Sequence, residues 1–257
     1  MHKPLKFLAF DTSTDRLSVA LTDGVRVWQH SSPGGALAST QLIPTILALL
    51  AQAKMTLGEL DAIAFGRGPG SFTGLRTACA VAQGLAFGAN QGAGIAVLPV
   101  DTLMAVAEEA RFTRFGASAP PSCTAFTVTA LLDARMDEMY VQRYEFSCGA
   151  DIDAGRWQPL NDCTLIRPEN LHAKAADLLL AGNVFSVYAA RLPAGVAELA
   201  CVEALPTATA MLRLAPALVA AGHCVEAALA LPLYVRDKVA LTTDERAKIK
   251  ADKADSL

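Results

Sequence analysis

The chain has 257 residues, of which 53% are hydrophobic and 18% charged, with a formal net charge of −3. That length holds one sizeable core or two small lobes, and so apolar a composition excludes disorder over most of the chain. The acidic balance excludes an autonomous nucleic-acid binder, which would carry a basic excess; any nucleic acid would be held through a partner.

No run of about 18 uninterrupted apolar residues is present, so no membrane span is expected. The apolar run before Asp11 is too short for a signal peptide, which makes the cytoplasm the expected location. Six cysteines, at 79, 123, 148, 163, 201 and 224, show no Cys-x-x-Cys pair and no histidine at zinc-finger spacing. Reduced, mostly buried thiols are the expectation.

In chain order, Leu5 to Phe10 reads as a strand ending at Asp11, Thr12, Ser13 and Thr14. Leu17 to Leu21 and Val25 to Trp28 follow as second and third strands around the Asp23-Gly24 turn. Ser31 to Gly35 reads as a loop. Leu37 to Leu50 reads as a helix with Leu42, Ile43, Ile46, Leu47 and Leu50 on one stripe, and Pro44 should kink it.

The centre of the chain is 60–88. Ala62 to Phe65 reads as a buried strand that empties into a loop with glycines at 66, 68 and 70, before a helix N-capped by Thr73. Two readings of the loop stand open. It could cradle an anion at the helix N-terminus, or it could be a turn that needs glycine for its backbone. It is not a Walker A loop, and Gly66 to Ser71 lacks the last glycine of the dinucleotide pattern.

Behind it, Ala78, Ala82 and Ala86 recur at spacing four, beside a second row of Ala80, Gly84 and Gly88. Rows this small allow another helix to approach closely. Glycine costs about 1 kcal/mol against alanine inside a helix, so Gly84 calls for such a partner, internal or external.

Ile95 to Val100 reads as a strand and Asp101 to Arg114 as a helix. Then the opening pattern returns. Ala125 to Leu132 reads as a strand ending at Asp133, Met139 to Phe146 as its return strand, and the stretch after Asp177 parallels the one after Asp61. A duplicated strand-strand-strand-helix-strand-helix unit is expected. Glu145 to Asn161 reads as an irregular surface segment, Pro168 to Lys174 as a short helix, and Thr207 or Thr209 opens a last helix through Ala221. The charged tail from Thr242 reads as disordered.

The long stretch Phe65-Gly-Arg-Gly-Pro-Gly-Ser-Phe-Thr-Gly-Leu-Arg76, followed by Val81 to Gly88, resembles the signature of the TsaB (YeaZ) family. Asp133-Ala-Arg-Met-Asp-Glu-Met-Tyr140 and the segment at Leu233 resemble further parts of it. The resemblance implies an α/β fold of the duplicated actin-like/Hsp70-like ATPase type (ASKHA, ribonuclease H-like). Its two lobes would be 1–103 and 104–231, with 232–257 as a closing segment.

It also implies a non-catalytic subunit of the bacterial machinery that makes threonylcarbamoyladenosine in tRNA. Such a subunit scaffolds and activates TsaD through a helical bundle, is joined by the ATPase TsaE, meets tRNA only through the complex, and forms a homodimer when TsaD is absent. The modified adenosine is the one 3′ of the anticodon in tRNAs reading ANN codons. On this chain the bundle would come from 37–53 and 74–90, with Leu42, Ile46, Leu75, Ala78, Ala82, Gly84, Leu85 and Ala86 as interface residues. The turn at 36–40 is more apolar than is usual in relatives.

Asp11 to Thr14 resembles the first phosphate loop of actin-like ATPases, although Asp, Ser and Thr are also what turns are made of. Asp11, Thr12, Ser13, Gly68, Gly70 and Ser71 are therefore the candidate nucleotide contacts, with ATP or ADP at the cleft or at the complex interface. Arg135 and Glu138 could be a solvated hairpin pair or part of a site.

The alternative activity is an actin-like small-molecule kinase, with Asp11 or Asp133 as acid residue; the second unit keeps only Gly182 and Asn183 where a phosphate loop would lie. A glycoprotease-like metal hydrolase has less behind it, because His2, His30, His172 and His223 cannot share a helical face.

Overall fold

A computed structural model of the chain describes residues 4–92, 94–117, 125–147, 156–172 and 179–236. The first half holds β1 (Phe7–Asp11), β2 (Arg16–Thr22), β3 (Val27–Pro33), α1 (Ala38–Ala53), β4 (Ala62–Gly68), α2 (Phe72–Gly88) and β5 (Ala96–Asp101). Its sheet order is β3-β2-β1-β4-β5, antiparallel through β1 and parallel beyond it. β1 and β4 are buried along nearly their whole length, which is why both read as unbroken apolar runs rather than alternating ones.

After α3 (Thr102–Phe115) the pattern repeats with β6 (Ala125–Asp133), β7 (Met139–Ser147), β8 (Arg156–Pro159), β9 (Thr164–Ile166), β10 (Leu179–Gly182), β11 (Cys201–Glu203) and α4 (Ala208–Ala220). The second sheet runs β11-β10-β6-β7-β8, with β9 also on β7. β6 stands where β1 stands, β10 where β4 does, and β11 where β5 does. The expected duplication, and with it the two-lobed actin-like fold, is thus present in the strand order itself.

The helices that follow the last strand of each half, α3 after β5 and α4 after β11, join the halves. α4 packs on β1 and β2 of the first sheet, α3 packs on β6 of the second, and the two touch each other. One hydrophobic core therefore runs from Phe7 and Leu98 through Leu103, Val106 and Met211 to Val128 and Tyr144. α1 and α2 cover the opposite face of the first sheet over a second core built on Phe10, Leu17, Leu42, Ile46 and Phe65.

α3 is buried almost all round, so its charges must find partners inside. Glu108 accepts from Arg111 Nε (2.7 Å) and Nη2 (2.8 Å), from Trp157 Nε1 (3.0 Å) on β8, and from Arg213 Nε (2.8 Å) on α4. Burial works to raise its pKa. The Arg111 bonds and charge, the Trp157 N–H and the Arg213 charge outweigh that and hold it below the ordinary carboxylate value.

Several expectations need correction. Part of the segment read as irregular is β8, because Trp157 packs against Phe126, Tyr144 and Phe146. Ser31 to Pro33 extend β3, paired with Arg16 to Ser18.

With its leading turn, α1 makes a 19-residue helical run, Gly35–Ala53, of mean hydropathy 1.5, long and apolar enough by composition to cross a membrane. Here its inner stripe lies on β2 and β3. The thiols are less uniformly buried than expected: Cys79 is buried, Cys163 and Cys224 are half-buried, and Cys201 is exposed, all four free. Cys123, Cys148, residues 173–178 and the tail from Thr242 lie outside the described residues.

Replacing Glu108 by Gln removes the charge that Arg111 and Arg213 share at a buried junction; Arg213 keeps its pair with Glu109, but the Arg111 side chain is nearly inaccessible. Breaking such a pair from one side costs about 3–5 kcal/mol. Urea unfolding of Glu108→Gln should show a loss of that size; a loss below 1 kcal/mol would mean that the junction is solvated.

Candidate functional site

Two places could carry function: the cleft between the lobes and the outer face of α1 and α2. Both are set by how the β1–β2 turn meets the start of α2. Thr12 Oγ1 donates to the Gly74 carbonyl (2.7 Å), and Ser71 N donates to the Ser13 carbonyl (2.7 Å). Gly74 lies so close to the Thr12 carbonyl that any Cβ there would overlap it. The loop glycines are held to no side chain in the same way, a Cβ on Gly66 meeting the Asp11 carboxylate, on Gly68 the Leu233 carbonyl and on Gly70 the Ser13 Cβ and carbonyl. α2 begins at Phe72 with Ser71 as N-cap, two residues earlier than the Thr73 cap expected.

The cleft holds a cavity of about 460 Å3, lined on the first half by Ser13, Gly70 and Ser71 and on the second by Asp133, Arg135 and Asn183. Of the six phosphate candidates these three first-half residues line it, whereas Asp11, Thr12 and Gly68 do not.

Asp11 is fully buried. Its Oδ1 accepts from Ser13 N (2.9 Å) and Ser13 Oγ (2.7 Å), and its Oδ2 abuts the Gly66 backbone with no hydrogen-bond partner. Burial pushes its pKa up to about 6, against the pull of the two Ser13 bonds. A carboxylate that handles metal-bound phosphate must offer an oxygen to the cleft. Asp11 does not fit that role here.

Its counterpart Asp133 does line the cleft. Asp133 Oδ1 accepts from Tyr188 Oη (2.8 Å) and Arg135 N (2.8 Å), while Asp133 N donates to Asn183 Oδ1 (2.9 Å). Burial, the bond to Asp133 and that residue's charge push the Tyr188 hydroxyl up to about 12. Arg135 and Glu138 do not pair with each other: Arg135 faces Asp133 (3.7 Å), and Glu138 accepts from Arg236 (2.6 Å).

A larger hollow of about 1160 Å3 lies between α3, α4 and β8. Its cations are largely committed, Arg67 to Asp101 and Arg213 to Glu108 and Glu109. Among the described residues no three His, Cys, Asp or Glu side chains converge for a metal ion.

The helix face departs from the expectation in an instructive way. Leu42, Ile46, Leu75, Ala78, Ala82 and Ala86 are buried within the chain and cannot meet a partner, and Leu85 is half-buried. The other row, Ala80, Gly84 and Gly88, is exposed, and no atom lies within 4 Å of where a Cβ would sit on Gly84 or Gly88. Beside it stand Leu37, Ile43 and Leu47 of the α1 run, 53%, 42% and 54% exposed, and Phe87, 73% exposed. Both helices are apolar on two sides, so periodicity alone could not say which side was core.

Comparison with known proteins bears on both places. The family model for TsaD, tRNA N6-adenosine threonylcarbamoyltransferase, matches residues 36–242. The chain is similar to the tRNA threonylcarbamoyladenosine biosynthesis protein TsaB of Haemophilus influenzae, with 34% identity over 91% of this chain and 95% of that one. It is also similar to the protein of the same name in Escherichia coli K12, with 30% identity over 92% and 96%. Among solved structures, YeaZ from Pseudomonas aeruginosa superposes with a TM-score of 0.73 at 35% identity, covering 90% of this chain and 99% of that one.

The buried Asp11 gives a pH signature. Its pKa rises from an ordinary 3.8 to about 6 on folding, so its protonated form contributes stability that is present at low pH and lost as pH rises through 6. At 1.36 kcal/mol per pKa unit, the loss from pH 4 to pH 8 is about 2 kcal/mol. Asp11→Asn stays neutral, so its stability relative to wild type should climb by that amount over the same range in urea titrations. A constant difference would mean that Asp11 is solvated.

Proposed function

The chain belongs to the TsaB (YeaZ) family and takes part in tRNA threonylcarbamoyladenosine biosynthesis, and from that premise we propose that it is a scaffold and activator with no catalytic residues of its own. Its partner is TsaD, docked on the outer face of α1 and α2. TsaE joins that pair, and tRNA is met only through the complex. The product step is transfer of threonylcarbamoyl to the adenosine 3′ of the anticodon in tRNAs reading ANN codons, in the cytoplasm. When TsaD is absent, two copies of the chain close the same face.

One observation carries this reading: the Ala80, Gly84 and Gly88 row is exposed, and among the described residues nothing occupies the space beside Gly84 and Gly88. A glycine inside a helix costs about 1 kcal/mol against alanine, and no described residue uses the space that the glycine leaves. Ile43, Leu47 and Phe87 of α1 and α2 are exposed as well, so the two helices offer an apolar surface on which a partner helix can settle closely over the small row. Monomers seldom leave such a patch open.

The nucleotide question takes the same direction. With Asp11 turned into the core, the first loop lacks the carboxylate that the ATPase members of this fold class would use. ATP or ADP therefore belongs with the complex interface rather than with the cleft of this chain. A kinase activity of the isolated chain would need Asp133 to act alone opposite a loop whose glycines serve packing.

Gly84→Trp adds bulk on the exposed side of α2, where a Cβ meets nothing within 4 Å among the described residues outside the helix's own backbone. It should leave Tm within about 2 °C of wild type and weaken the association with TsaD at least 100-fold, read by size exclusion and titration calorimetry. Ala82→Trp, by contrast, should unfold the protein, because Ala82 is fully buried. A Gly84→Trp variant that binds TsaD like wild type removes this face from the interface, and ATP turnover by the chain alone would then favour the kinase.

A further inference from the structure

From Val225 to Arg236 the chain returns to the first half and then crosses the cleft. Val225 exchanges both backbone hydrogen bonds with Val97 on β5 (2.8 and 3.0 Å). The carbonyl of fully buried Ala230 accepts from Gln83 Nε2 (2.9 Å) and Cys79 Sγ (3.1 Å) on α2. Leu233 N donates to the Arg67 carbonyl (2.7 Å). Its own carbonyl lies over Gly68, whose φ of +126° and lack of a Cβ are what admit the segment there. Up to Leu233, then, the segment is fastened by backbone bonds and burial.

Beyond Leu233 the fastening changes. The Tyr234 ring leans on Phe72 at 5.2 Å, and its hydroxyl accepts from Arg76 Nε (3.0 Å). Arg236 reaches across to the turn between β6 and β7. There Nη2 donates to Glu138 Oε2 (2.6 Å) and to the Arg135 carbonyl (3.3 Å), and Nη1 meets Met136 Sδ (3.0 Å). The ion pair is partly exposed, at 14% and 33% for the two side chains. Arg236 Nε is left without a hydrogen-bond partner.

The turn that Arg236 grips is under backbone strain. Arg135, Met136 and Asp137 all sit at φ of 56° to 61°, a left-handed run that residues with a Cβ seldom adopt. It is held from within by Ala134 N on the Glu138 carbonyl and Glu138 N on the Arg135 carbonyl. From outside it is held by Arg191 on Asp137 and by Arg236. Leu233, Tyr234, Val235 and Arg236 form one wall of the 460 Å3 cavity.

We propose that residues 234–236 are a strap along one wall of the interlobe cleft, hinged at Leu233 and latched by Arg236 on the β6–β7 turn, so that this wall moves back and the cavity widens when the latch releases. The two ends differ in kind, and this gives the device its direction. The backbone bonds up to Leu233 and the buried Ala230 carbonyl resist salt, whereas the side-chain contacts beyond it centre on a part-exposed ion pair that salt screens. Among the described residues, opening therefore starts at Arg236 and stops at Leu233. The strap rests on contacts within this chain, and it stands whichever partner meets α1 and α2.

The test uses the full chain with a reporter thiol introduced by Leu132→Cys, which lines the cavity at a buried position. Its rate of labelling by N-ethylmaleimide is read peptide by peptide in a mass spectrometer. Adding Arg236→Ala, or Glu138→Gln from the other side of the pair, should raise the rate at 132 at least tenfold while buried Cys79 stays slow. Sodium chloride at 0.5 M should accelerate the reporter in the Arg236 background and not further in the latch variants. Equal rates with and without the latch would overturn the proposal, and so would a parallel rise at Cys79, which would mean general loosening. If Arg236→Ala fails to fold, Glu138→Gln and the salt series decide the matter.

Discussion

The approach of Gly74 to the Thr12 carbonyl is the constraint from which the rest of the molecule takes its bearings. A helix that starts in contact with the turn leaving β1 has no freedom to roll. Its Ala78, Ala82 and Ala86 row is pressed onto the sheet, and its Ala80, Gly84 and Gly88 row must face away. The same contact sets the cleft, because Ser13 and Ser71, bonded to each other through the backbone, form its first-half wall. One close approach of backbone to backbone thus fixes both the outer face and the inner one.

Asp11 shows what that approach costs. The packing that brings Gly66 against β1 also shuts the carboxylate away from the cleft, with one oxygen unpartnered. Burying a carboxylate without full pairing favours its neutral form, so a group that could have managed phosphate charge becomes a core residue with a raised pKa. Family membership, the unoccupied glycine row and the buried aspartate all favour a protein that acts by being held next to another.

The duplication explains why there is one such surface and not two. Between β4 and β5 the first half inserts α2. Between β10 and β11 the second half has only turns, including the 3-10 turn Ala194–Glu198. The halves share their strand order and their last helices, α3 and α4, which lie together between the sheets and are tied by Glu108 to Arg111, Arg213 and Trp157. Because that junction is common, the lobes make a single core, and the chain does not separate at its middle. The last described stretch, Val225 to Arg236, returns to the first half and reaches the second at Arg236, adding a tie at the cleft.

Much of this was legible in the order of residues. Unbroken apolar runs at 7–11 and 62–65 mark central strands because both faces of such a strand must be covered, and the repeat of strand, turn and strand at Asp11 and Asp133 announces the duplication. The long glycine-bearing stretch from Phe65 identifies the family. What the sequence could not decide was direction. α1 and α2 are apolar on two sides, and only the sheet beneath them tells Leu42 and Ala82 from Leu47 and Gly84. Asp11 in a turn of hydroxyl residues reads the same whether its carboxylate faces the cleft or the core, and Trp157 makes a strand of an irregular segment only because four aromatic rings meet there. Local pattern determines which elements form, since propensity and turn chemistry act over a few residues. Which face is hidden depends on what packs against it, and that is a property of the folded chain alone.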